Sequence, residues 1–142
     1  MKKILACSLL LVLSIGLIFA HGTSKGKPEA PAAVISFDKT THDFGSFSAD
    51  DPVVKCTFTF TNEGDAPLVI HQAIASCGCT VPTYTRMPVK PGEKGTIEVT
   101  YNGEGKYPGK FKKSITVRTN AKEPMVRLYI SGDMKASENE KK

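Results

Sequence analysis

Two thiols one residue apart, Cys77-Gly78-Cys79, followed by Thr80 and Pro82, are the residues of this chain best placed to do chemistry. In an extended stretch, side chains two residues apart lie on the same side, and Gly78 lacks the Cβ that would resist a bend between them. A disulfide between Cys77 and Cys79 is therefore feasible. Its ring would close almost no chain, so it would stabilise the fold little through entropy, and distortion would make it easy to reduce. The alternative is a purely structural pair, bonded or as two thiols, that ends a strand and fixes the loop after it. Redox exchange would need an exposed thiol with a depressed pKa, supplied by a helix N-terminus or a nearby cation. No helix is expected here, and Arg86 is the cation that could reach the site. The usual oxidoreductase unit is Cys-x-x-Cys in a βαβ setting, which this is not. Two thiolates with His71 would offer soft ligands suited to Cu(I) or Zn(II), although three ligands fall short of a closed tetrahedral site. His71 has the opposite parity to Leu68 and Ile70, which places it toward solvent. Cys77, Cys79 and His71 are thus the candidate metal ligands, and no metal or other cofactor is assigned.

Two further cysteines need a place. Cys7 lies inside an apolar leader. Cys56 has inward parity on an apolar strand and reads as a small core residue, the competing option being a bridge from Cys56 to Cys77 or Cys79. His21 could chelate copper through its amine and imidazole if it became the N-terminus.

The leader sets the compartment. Lys2 and Lys3 precede an uncharged apolar run, Ile4 to Phe19, and Ala20 precedes the polar His21-Gly22-Thr23-Ser24, the layout of a secretory signal peptide over residues 1–20. Cleavage after Ala20 leaves no membrane span, and the alternative is an uncleaved anchor. Export to the periplasm or beyond the cell makes disulfides permissible. Of 19 basic and 14 acidic residues the leader takes two lysines and no acid, so the mature charge would be +3. A surplus that small, spread along the chain, gives no nucleic-acid footprint. Residues 21–33 are Gly, Pro, Lys and Ala without periodicity and read as a flexible tether. Residues 135–142 read as a disordered charged tail.

The span 34–134 between them alternates with period two. Val54, Cys56, Phe58 and Phe60 share one parity and Lys55, Thr57, Thr59 and Thr61 the other, which is a strand with one face on a core. The pattern returns at Ile97-Val99-Tyr101, Ile115-Val117 and Val126-Leu128-Ile130. Leu68 and Ile70 begin another strand, and Val34–Phe37 and Phe44–Phe47 supply one or two more. Turn residues separate them at Asn62–Pro67, Pro91–Gly95, Asn102–Gly105 and Pro108-Gly109. About seven short strands so spaced indicate an all-β immunoglobulin-like β-sandwich, with a long loop from Thr80 to Pro91 joining its halves. No internal repeat and no helical spacing interrupts the pattern.

Phe44-Gly45, Phe58-Thr-Phe60-Thr-Asn62-Glu-Gly64, Pro67-Leu68, Ser76-Cys77-Gly78-Cys79-Thr80 with Pro82, Pro91-Gly92, Gly95, Tyr101, Gly109, Phe111-Lys-Lys113 and Thr119-Asn120, in this order, resemble the bacterial domain of unknown function fifteen-seventy-three. The resemblance covers about residues 35 to 132, nearly all of the mature domain. It implies an exported immunoglobulin-like sandwich, related in shape to pilus-chaperone and cilia-associated domains, and it implies no established reaction.

Enzymatic readings fare poorly. Asp50-Asp51 and Glu138–Glu140 are the close carboxylates, and they fall in a loop and a tail. Gly103-Glu-Gly105 is too short for a phosphate loop, and no serine sits in a nucleophile elbow. The expectation is a non-enzymatic exported module that binds a protein partner in the cell envelope or serves there as a structural component, with a thiol-based metal (Cu or Zn) or redox carrier using the Cys-Gly-Cys pair as its rival. Tyr84, Arg86 and Met87 form the expected interaction loop, because aromatic, Arg and Met side chains are enriched at interfaces. Their alternative role is for Tyr84 and Met87 to fold back over the core.

Overall fold

In a computed structural model that describes residues 29–138, the chain forms β1 (Ile35–Phe37), β2 (Thr41–Ser48), β3 (Val53–Asn62), β4 (Ile70–Ala75), β5 (Thr80–Tyr84), β6 (Lys94–Asn102), β7 (Gly109–Thr119) and β8 (Met125–Lys135). The segment expected to be a signal peptide, residues 1–20, His21 with most of the expected tether, and residues 139–142 lie outside the described residues. Two four-stranded sheets face each other, one ordered β1-β3-β6-β5 and the other β2-β8-β7-β4. Every pairing is antiparallel except β2 with β8. There is no α-helix among the described residues.

The two-residue alternation sorts the faces as expected. Phe58, Phe60, Ile97, Val99, Ile115, Val117, Leu128 and Ile130 meet between the sheets and are buried, while Thr57, Thr96, Glu98 and Arg127 face outward. At one end of the sandwich the core is aromatic. Tyr101 stacks on Phe111 at 4.0 Å between ring centroids, and Phe47 meets Phe111 edge-on at 6.0 Å.

At the opposite end a buried side chain organises three loops. Asn62 Oδ1 accepts the N–H groups of Val34 at 3.3 Å and Gly64 at 3.0 Å. Its Nδ2 donates to the carbonyls of Ala66 at 2.8 Å and Val89 at 2.9 Å. The amide is therefore fully engaged, as a buried polar group must be. Gly64 lets the chain close here, since a Cβ at that position would fall on the Ala32 carbonyl.

Three details depart from the sequence reading. The stretch after Thr80 is not one loop: Thr80–Tyr84 is an eighth strand, paired with β6 from Thr80↔Tyr101 to Tyr84↔Ile97. Pro82 hid it, and an edge strand tolerates proline because one side of its backbone needs no partner. Leu68, expected to begin a strand, makes an isolated bridge with Val89 ahead of β4. Both ends of the domain reach further than composition suggested. Ala33 is buried and its carbonyl accepts Lys122 N–H at 3.0 Å, while Lys135 closes β8 opposite Ser48.

Candidate functional site

The chain crosses from one sheet to the other at the Cys-Gly-Cys turn. β4 is the last strand of its sheet, β5 the last of the other, and Ser76–Cys79 carries the chain between them. Ser76 N–H donates to Ser114 O at 2.8 Å, Thr80 N–H to Cys77 O at 3.2 Å, and Asn102 N–H to Cys79 O at 2.8 Å. Both ends of the turn are thus tied to the strands beside them. Within it Cys77 and Cys79 form a disulfide, with Cα atoms 5.3 Å apart, inside the ordinary range for such bonds. The Thr80 hydroxyl, on a buried residue, lies 3.6 Å from Cys77 Sγ and 3.9 Å from Cys79 Sγ.

Cys56 has no part in this. It is free and buried opposite Val99 on β3, an interior strand of the β1-β3-β6-β5 sheet, so the bridge from Cys56 to Cys77 or Cys79 is not formed. Burial pushes its thiol up to about 11, against a small opposing effect of Lys39. An inert, apolar cysteine results.

His71 sits exposed at the start of β4. Its carbonyl accepts the Tyr84 hydroxyl at 3.2 Å, a bond that joins the two edge strands. Among the described residues no three His, Cys, Asp or Glu side chains come together as a metal-binding group, and the sulfurs of the candidate set are bonded to each other. Asp50 is a surface carboxylate, held below the usual range first by a hydrogen bond from Ser137 and then by one from Ser48.

The proposed interaction residues divide. Tyr84 packs against the core from β5, and the Arg86 guanidinium lies 4.4 Å from the centre of its ring. Met87 points away and is 74% exposed. Tyr84 therefore folds back and Met87 does not. Val81 on β5 and Ile74 on β4 are also exposed, so apolar side chains border this corner on both sheets.

The four sheet edges are unequal, and periodicity alone could not rank them. β1 offers three residues. β2 is bulged between Asp43 and Ser46, where Gly45 takes φ 67° and donates its N–H to the Asp43 carboxylate. On β5 the even residues face outward; Thr80 N–H is spent on Cys77 and Pro82 has none, which leaves Tyr84. On β4 the bond from Ser76 to Ser114 fixes the alternation: even residues pair with β7, and the N–H and C=O groups of Ala73 and Ala75 point outward. The register shift of β4 is confined to its first residues, Ile70 to Gln72. Among the described residues nothing pairs with the outer backbone of Ala73 and Ala75.

A family model described as "Protein of unknown function (DUF1573)" matches residues 35–134. No curated protein matches. Among solved structures, a protein of unknown function from Porphyromonas gingivalis W83 is similar at 19% identity and TM-score 0.64, covering 78% of this chain and 51% of its own. The ASH / PapD-like domain 7 of human CEP192 is similar at 12% identity and TM-score 0.60, covering 96% of this chain and all of its own length. The VesB protease of Vibrio cholerae matches at 15% identity and TM-score 0.55, with 71% of this chain covered and 31% of the protease. This chain thus spans about half the Porphyromonas protein and under a third of the protease. At these identities the likeness is one of fold, an immunoglobulin-like, PapD-like sandwich.

Proposed function

The chain belongs to the DUF1573 family over residues 35–134, and from that starting point we propose that it is an exported, non-enzymatic module that binds another protein of the cell envelope along the outer edge of β4. The observation that carries this is the unpaired backbone of Ala73 and Ala75, flanked by exposed Ile74, Val81 and Met87. An extended segment of a partner would complete the ladder there, gaining main-chain hydrogen bonds from the edge and side-chain contact from the apolar border. Export rests on the leader, Lys2 to Ala20. The PapD-like frame is one that presents edges and end loops to proteins, which is support by analogy of shape.

A photo-crosslinking residue at Gln72 in the full chain, expressed in its native envelope, tests the reading. A discrete protein adduct that Ala73→Pro abolishes is expected, because proline removes an outward N–H without touching the bonds to β7. The absence of an adduct, or an adduct indifferent to Ala73→Pro, contradicts it.

A further inference from the structure

We propose that Cys77–Cys79 is a thiol–disulfide exchange site that takes two electrons from a dithiol while the domain stays folded. This stands apart from what binds at β4 and rests on three features of the turn.

First, the turn does not depend on the sulfur bond. Thr80 N–H to Cys77 O, Asn102 N–H to Cys79 O and Ser76 N–H to Ser114 O hold it in place. A bridge between residues two apart removes little chain entropy, so its loss costs the fold little. Second, the turn is open. Gly78 is exposed, and apart from Cys77 and Cys79 themselves nothing lies within 4 Å of where its Cβ would sit, so the outer face of the turn is uncovered, with both cysteines half-buried beneath it. Third, the surroundings favour one sulfur as the leaving group. The Thr80 hydroxyl is 3.6 Å from Cys77 Sγ and 3.9 Å from Cys79 Sγ, and it can donate to a thiolate. Continuing the β4–β7 register past Ala75↔Ile115 sets Lys113 opposite Cys77. Lys113 shares the inward parity of Ile115 and is half-buried, and among the described residues its side chain has no hydrogen bond or ion pair. A nearby cation and a hydroxyl donor are what lower a thiol pKa and speed its departure.

The exchange follows from this asymmetry. A thiolate of the dithiol attacks Cys79 Sγ, a mixed disulfide forms, the Cys77–Cys79 bond breaks, and its electron pair leaves on Cys77 Sγ, next to the Thr80 hydroxyl and across the strand register from Lys113. The second thiolate of the dithiol then attacks its neighbouring sulfur in the mixed disulfide and releases Cys79. The dithiol ends as a disulfide, and Cys77 and Cys79 end as thiols after taking up the two protons it gives up.

Dithiothreitol reduction of the full chain, quenched by alkylation and followed by peptide mapping, tests the proposal. In the folded protein Cys77 and Cys79 become alkylated, Cys56 does not, and the thermal midpoint falls by no more than about 10 °C. Thr80→Val slows reduction about tenfold, Thr80→Ser keeps the rate, and Lys113→Gln slows it several-fold. With glutathione, the trapped mixed disulfide maps to Cys79. Reduction only after urea unfolds the domain overturns the proposal, as does a mixed disulfide on Cys77. So does a wild-type rate in Lys113→Gln, the variant that decides if Thr80→Val fails to fold.

Discussion

Replacing Asn62 with alanine should be among the most damaging single changes to this domain. The side chain is fully buried and makes four hydrogen bonds, to Val34, Gly64, Ala66 and Val89. Each such bond contributes about 0.5 to 1.5 kcal/mol net, and a buried partner left unmet costs about 1 to 3 kcal/mol. One partner is cushioned, since the Val89 carbonyl also receives Leu68 N–H at 2.8 Å. Three groups then lose their partner outright, which gives a destabilisation of roughly 3 to 5 kcal/mol. For a domain of about 100 residues, 4 kcal/mol corresponds to a fall in Tm of about 15 to 30 °C. Urea unfolding followed by circular dichroism and tyrosine fluorescence provides the measurement, the sequence having no Trp. Asn62→Asp sharpens it. That change keeps the acceptor for Val34 and Gly64 but turns an oxygen toward two carbonyls, so it should cost more at pH 7, ionised, than at pH 4, where a protonated oxygen can donate to one of them. A loss below about 1 kcal/mol for Asn62→Ala, or an Asp variant as stable as the parent at pH 7, would refute the role assigned to this amide.

Phe58→Ala should cost about 3 to 5 kcal/mol and the adjacent Thr57→Ala no more than about 0.5 kcal/mol, because one ring is buried between the sheets and the other side chain is exposed; equal losses in a denaturant series would show that the faces are wrongly assigned. Cys56 should resist iodoacetamide at pH 8 in the folded protein and react once urea unfolds it, since its thiol is raised from an ordinary value near 9.0 to about 11 by burial. A raised thiol pKa favours the protonated form in the native state. Its contribution is therefore complete below pH 9 and is lost as pH climbs from 9 toward 11, a decline that Cys56→Ala should remove from the pH–stability profile.

Strand faces were legible in the sequence because side-chain direction has a strict period of two, so Phe58, Ile97 and Leu128 announced their burial without any knowledge of the partner strands. β5 was not legible. Thr80-Val81-Pro82-Thr83-Tyr84 is short and carries a proline, and only the tertiary position at a sheet edge makes that acceptable. The burial of Ala33 escaped for a related reason: composition describes a window, whereas Ala33 is enclosed by a turn thirty residues later that Gly64 permits. At the site, spacing alone made the Cys77–Cys79 bond feasible but could not choose it over a bridge to Cys56, because that choice turns on which strand each sulfur ends beside. The open edge of β4 has no signature at all in residue types. It depends on which backbone groups are already paired, a property of topology and register.

Residue-resolved amide hydrogen exchange on the free protein bears most directly on the edge of β4 as the working surface. The N–H groups of Ala73 and Ala75 should exchange at least about 100-fold faster than those of Ile74 and Ser76, which are bonded to β7. Uniform protection across Ala73 to Ser76 would mean that the chain covers this edge itself, and the binding role would have to be given up.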